Sequence, residues 1–301
     1  MKFSSVALSV AVLACSMFSS QVSAQDKPLP WDGRGQDLTV ATLDTKYMLH
    51  ILKQRKGGKN GNPADYVTVD QKGRSPAYNK DTGVINIGVD ENAIFNTQNN
   101  FRRSELVQNI AGNVDGKTFF RTSVKKDEPF LNKYQWQIIF PEDHIFEIRI
   151  DAEQSPAKII YLNNGTYDAK WETEFKTSTW YNFGIAVSKA ASGSTLEFYE
   201  SEGDKPLKLA KTHTVVSKFP TTYEFHYGML TLSNDGTDPV MVKGEQDILS
   251  YNGVSVEAGV PADIGSGSAT APSTPTKKPA TTPAAATPAP ATVKPICNKK
   301  N

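Results

Sequence analysis

The feature that most limits what this chain can fold into is a set of short apolar–polar alternations separated by turn residues. Two of them lie back to back. In Tyr134-Gln135-Trp136-Gln137-Ile138-Ile139-Phe140, strand alternation puts Tyr134, Trp136, Ile138 and Phe140 on one face and Gln135 and Gln137 on the other. After Pro141-Glu142-Asp143-His144 the pattern returns. Phe146, Ile148 and Ile150 share a face there, opposite Glu147, Arg149 and Asp151. An apolar face packs on a core. A face of Gln, Glu and Arg suits hydrogen bonding to sugar hydroxyls, and it is equally the pattern of an ordinary solvated sheet face.

Similar runs recur along the chain, among them Val84–Val89, Phe101–Leu106, Thr118–Val124, Lys158–Leu162, Tyr181–Val187, Thr222–Leu232 and Gln246–Glu257. Turn clusters such as Asn163-Asn164-Gly165 and Asn234-Asp235-Gly236 divide them. Many short strands with this punctuation predict an all-β sandwich or barrel. One stretch, Leu43 to Arg55, has the character of a short helix.

The ends read differently. Residues 1–24 form a signal peptide, with Lys2 ahead of the apolar Val6–Met17 run and Val22-Ser23-Ala24 as its cleavage site. That run is too short and too often interrupted by serine for a membrane span, and no later one qualifies, so a secreted, extracellular protein without a membrane partner is expected. The folded domain is expected over 25–262. Residues 263–301 form a Thr/Pro/Ala-rich tail that lacks the apolar side chains to fold and is expected to be disordered. Cys15 leaves with the signal. Cys297 then stands alone, a free thiol or half of an intermolecular disulfide on an otherwise monomeric protein. The formal charge of +1 drops to about zero without Lys2, which gives no basic footprint for nucleic acid.

Three polar constellations carry the candidate chemistry. In Phe101-Arg102-Arg103-Ser104-Glu105-Leu106, alternation brings Arg103 beside Glu105, where the cation would keep the carboxylate ionised; a surface ion pair explains the same residues. Glu147 with Arg149 repeats the arrangement. In Tyr223-Glu224-Phe225-His226-Tyr227-Gly228-Met229-Leu230, Glu224, His226 and Gly228 share a face opposite the aromatics. Glycoside hydrolysis generally needs two carboxyl groups, so Glu105 and Glu147 are its candidates if their strands lie side by side, with His226 as tuner or proton carrier. Trp136, Tyr134 or Trp180 could stack on sugar rings. Asn164-Gly165-Thr166 is a glycosylation sequon on a turn. His144 and His213 have no ligand-spaced partner. No zinc-type spacing, phosphate loop, nucleophile elbow or dinucleotide fingerprint occurs, so no metal or cofactor is expected.

Five pieces, in order, resemble glycoside hydrolase family 131, the secreted β-glucanases. They are Trp31-Asp32-Gly33-Arg34, Phe101 to Leu106, His144-Ile145-Phe146-Glu147-Ile148-Arg149, Trp180-Tyr181-Asn182-Phe183-Gly184 and Phe225-His226-Tyr227-Gly228-Met229-Leu230. The resemblance implies a two-sheet β-jelly-roll sandwich with a concave sugar-binding groove. It implies activity on β-glucans with β-1,3, β-1,6 or β-1,4 linkages, and Glu105, Glu147 and His226 as the catalytic set. Arg103, Gln135, Gln137, Arg149 and Trp180 are the substrate-binding candidates. A non-catalytic glucan-binding module and a polysaccharide lyase are the alternatives.

Overall fold

The computed structural model describes residues 26–216, 218–232 and 237–264. The expected signal peptide, the tail beyond residue 264 and Cys297 lie outside them.

The strands in chain order are β1 (Trp31–Asp32), β2 (Gln54–Arg55), β3 (Lys59–Asn60), β4 (Val67–Asp70), β5 (Val84–Val89), β6 (Phe101–Ala111), β7 (Lys117–Lys125) and β8 (Gln135–Pro141). They continue with β9 (Phe146–Asp151), β10 (Lys158–Asn163), β11 (Thr166–Glu174), β12 (Tyr181–Lys189), β13 (Ser194–Glu202), β14 (Lys208–Val215), β15 (Thr222–Leu232) and β16 (Asp247–Glu257). One sheet has six strands in the order β11-β10-β9-β8-β15-β6. The other has eight, β14-β13-β12-β7-β16-β5-β4, with β1 added to β16. The long strands pair antiparallel, and several neighbours, such as β6 with β15, are far apart in sequence. This is the jelly-roll sandwich.

The apolar faces anticipated from alternation meet between the sheets. Phe146, Ile148 and Ile150 from β9 join Tyr223, Phe225, Tyr227 and Met229 from β15, and Phe120 from β7. Phe120 lies within 4.9–5.1 Å, centroid to centroid, of Phe146, Tyr223 and Phe225. Each such fully buried side chain contributes roughly 1.5–3 kcal/mol relative to exposure.

Three expectations are corrected. Trp136 is fully buried against Phe130 and cannot stack on a sugar from outside. Phe140 is not on its face. The register between β8 and β9 shifts between Gln137 and Ile139, so Ile138 and Ile139 both enter the core and Phe140 turns outward. The Leu43–Arg55 stretch is not one helix. It divides into a 3-10 segment (Val40–Thr45), a single helical turn (His50–Lys53) and β2. The chain is diverted there to the free edge of β6, where the Met48 amide donates to Val107 (2.8 Å) and Arg55 donates to the Arg103 carbonyl (2.8 Å).

Candidate active site

The outer face of the six-stranded sheet gathers most of the predicted polar residues. β6 brings Arg103 and Glu105, β15 brings Glu224 and His226, β8 brings Gln135 and Gln137, and β9 brings Glu147 and Arg149. The strands of the two glutamates are not side by side, as the sequence reading required; β8 and β15 lie between β9 and β6.

Glu105 is wholly inaccessible, at 0% exposure. Arg103 grips it with two hydrogen bonds, Nε to Oε1 at 2.7 Å and Nη2 to Oε2 at 2.6 Å. Nδ1 of His226 approaches Oε2 at 2.7 Å. Burial by itself would raise this carboxyl, but Arg103 and His226 hold it down at about 2. Burial would lower the His226 imidazole, yet Glu105 and then Glu224 carry it up to about 9. The pair therefore exists as carboxylate and imidazolium at neutral pH. The other ring nitrogen, Nε2, is buried without a hydrogen bond among the described residues. Glu224 at 3.4 Å and Glu142 at 3.5 Å flank it within ion-pair range, and both are well exposed.

Glu147 forms the second centre. Arg149 Nε donates to Oε1 at 2.6 Å and Gln137 Nε2 donates to Oε2 at 3.2 Å. Arg149 also donates to Gln135 at 3.0 Å. Nδ1 of His144 stands 3.3 Å from Oε2. Burial again opposes ionisation, and His144 with Arg149 outweighs it, so this carboxyl lies below its usual range. Phe140 lies between the two centres, its ring parallel to His226 (4.9 Å) and to His144 (5.3 Å).

A displaced backbone supports this geometry. Opposite Glu105 on β15 stands Gly228, at φ +153°, and the β15–β8 register shifts between Tyr227 and Leu230. The Tyr251 side chain crosses the core from β16. Its hydroxyl donates to the Gly228 carbonyl and lies 3.3 Å from that of Ile138, the extra residue of β8.

Trp180 does not join these residues. It precedes β12 in the other sheet, where its ring stacks on Arg74 at 4.4 Å. Asn164 is exposed in the β10–β11 turn at φ +55°. Sequence reasoning missed His144 and Phe140 as site residues. His144 had been weighed only as a metal ligand, although it lies three residues before Glu147, across a turn. Phe140 was hidden by the shift of register.

The chain matches the glycoside hydrolase 131 catalytic N-terminal domain over residues 29–262. Its structure is similar to that of a GH131 beta-glucanase catalytic domain from Podospora anserina, at 24% identity and TM-score 0.61, covering 77% of this chain and 96% of that one. It is also similar to the catalytic domain of the glycoside hydrolase family 131 protein from Coprinopsis cinerea, at 24% identity and TM-score 0.62, covering 79% and 98%. No curated protein sequence matches.

Proposed function

Because the chain belongs to glycoside hydrolase family 131, we propose that it is secreted and hydrolyses the β-glucans of cell walls across the outer face of its six-stranded sheet. Membership makes it a glycoside hydrolase, which sets aside the lectin-like and lyase alternatives. The substrate class is carried over from the Podospora anserina β-glucanase, and the linkages, β-1,3 and β-1,6 first and β-1,4 next, are those that the sequence resemblance implies.

The observation that carries the mechanism is the 2.7 Å contact between His226 and Glu105. It leaves one transferable proton in the set at neutral pH, the one on His226. Glu105 is too enclosed to touch sugar and acts as the positioning carboxylate. Once the exposed Glu224 and Glu142 side chains beside Nε2 give way to the sugar, His226 Nε2–H protonates the glycosidic oxygen as the bond to the anomeric carbon breaks, and the ring regains its proton from solvent. Glu147, ionised and held by Arg149, Gln137 and His144, accepts a proton from the attacking water on the opposite side. Gln135 and Arg103 complete the polar floor. Two strand spacings, roughly 10 Å, separate His226 on β15 from Glu147 on β9. That is nearer the roughly 6.5–9.5 Å of an inverting pair than the roughly 5–5.5 Å of a retaining one.

The test is to incubate the purified protein with laminarin and mixed-linkage glucan and measure new reducing ends, with the anomer followed by proton NMR. Wild type should release sugar as the α-anomer. A Glu147→Gln variant as active as wild type, or release of the β-anomer, contradicts the assignment.

A further inference from the structure

On the outer face of the other sheet, β7, β16 and β1 form the floor of a cavity of about 650 Å³. Register puts Arg121 and Asp32 on either side of Ser255, with Glu257 two residues further along β16. Arg121 is only 8% exposed. Among the described residues its Nε has no hydrogen-bond partner, and its ion-pair partner, Asp263, is distant at 3.9 Å. The Nε of Arg74 is likewise unpartnered, but that residue, 2% exposed, is held through its terminal nitrogens, which donate to Asn182, Asn252 and the Gly203 carbonyl. Glu257 has the complementary vacancy. Its Oε1 accepts from Ser255 at 2.7 Å, while its Oε2 is buried without a partner. A buried donor or acceptor left unsatisfied costs about 1–3 kcal/mol.

The two residues that carry this donor and this acceptor both line the cavity. A pair of neighbouring hydroxyls can accept from the Arg121 N–H and donate to the Glu257 carboxylate. Arg34, Lys80 and Arg121 balance Asp32, Glu257 and Asp263 around the cavity, so the ligand should be uncharged. The volume is in the range of pockets that hold a small ligand. We infer that this cavity is a second saccharide site, on the face opposite the hydrolytic one, which holds a short stretch of neutral glycan and anchors the protein to its polymer. The choice of a glucan fragment as ligand rests on the function proposed above.

Amide chemical shifts of the isotopically labelled Glu147→Gln protein during titration with laminaritriose provide the test. Shifts are expected at Asn79, Lys80, Ser255 and Glu257, separate from those around Gln137 and Arg149. Adding Glu257→Gln, which keeps the shape of the side chain, should weaken the first set about tenfold or more and leave the second set in place. Shifts confined to the six-stranded sheet overturn the second site and spare the proposed function. Shifts confined to the cavity do the reverse. No shifts anywhere overturn both.

Discussion

At the scale of single residues, the site is a problem of keeping charges where water cannot reach them. Glu105 stays ionised at 0% exposure because a bidentate guanidinium and an imidazolium replace its hydration. Arg103→Ala should therefore destabilise the fold by about 3–5 kcal/mol in a denaturant titration, the usual cost of leaving a buried charge unpaired. Glu105→Ala, which also empties the site, should be no better tolerated. His226→Gln addresses chemistry instead. It keeps a hydrogen bond to Glu105 but carries no transferable proton, so kcat should fall by about 10²–10⁴ with KM little changed. In the wild type, kcat/KM should fall at an acid limb below pH 4.5, set by the depressed Glu147, and at an alkaline limb near pH 9, set by His226. The alkaline limb should vanish in His226→Gln. His144→Ala should move the acid limb upward, since it removes one of the groups that hold the Glu147 carboxylate in its charged form.

At the scale of elements, two register shifts do what regular strands could not. Alternation alone correctly assigned the faces of β6, β9 and β15, so Arg103, Glu105, Glu147, Arg149 and His226 were legible. It failed on β8, because one extra residue at Ile138 reverses every side chain after it. No local signal in a run of three apolar residues reveals where the extra one falls. Gly228 is the visible trace of the matching irregularity on β15. A Cβ there would collide with the Ser104 carbonyl and press on Glu105, at a backbone angle that side chains rarely adopt. Gly228→Ala should lower the midpoint of thermal unfolding and, in the folded fraction, kcat as well, with a stability loss of about 1–3 kcal/mol. Tyr251→Phe removes only the hydroxyl that serves the Gly228 and Ile138 carbonyls. It should cost about 1–3 kcal/mol for the unsatisfied acceptors, and a loss confined to stability with kcat intact would show that the hydroxyl does not position the site.

At the scale of the whole molecule, the sandwich was readable because strand runs and turn clusters are local. The pairing of β15 with β6 and β8, and the passage of the His50–Arg55 segment over the edge of β6, were not, because they depend on contacts far apart in sequence. Those long-range pairings make the site a property of the full fold, and stability should follow its titration. Glu105 is depressed from 4.5 to about 2, so its contribution is complete above pH 4.5 and fades as pH falls towards 2. His226 is raised from 6.5 to about 9, so its contribution is complete below pH 6.5 and fades as pH rises through 9. Resistance to urea should consequently peak between about pH 4.5 and 6.5, and His226→Gln should flatten the alkaline decline. The measurement that bears most directly on the central claim is a crystal structure of the Glu147→Gln protein with a gluco-oligosaccharide bound. The sugar chain should cross the six-stranded sheet with one glycosidic oxygen within hydrogen-bond reach of His226 Nε2 and the anomeric carbon facing residue 147. An oligosaccharide absent from that face, or lying on it with His226 out of reach of every glycosidic oxygen, would contradict the account.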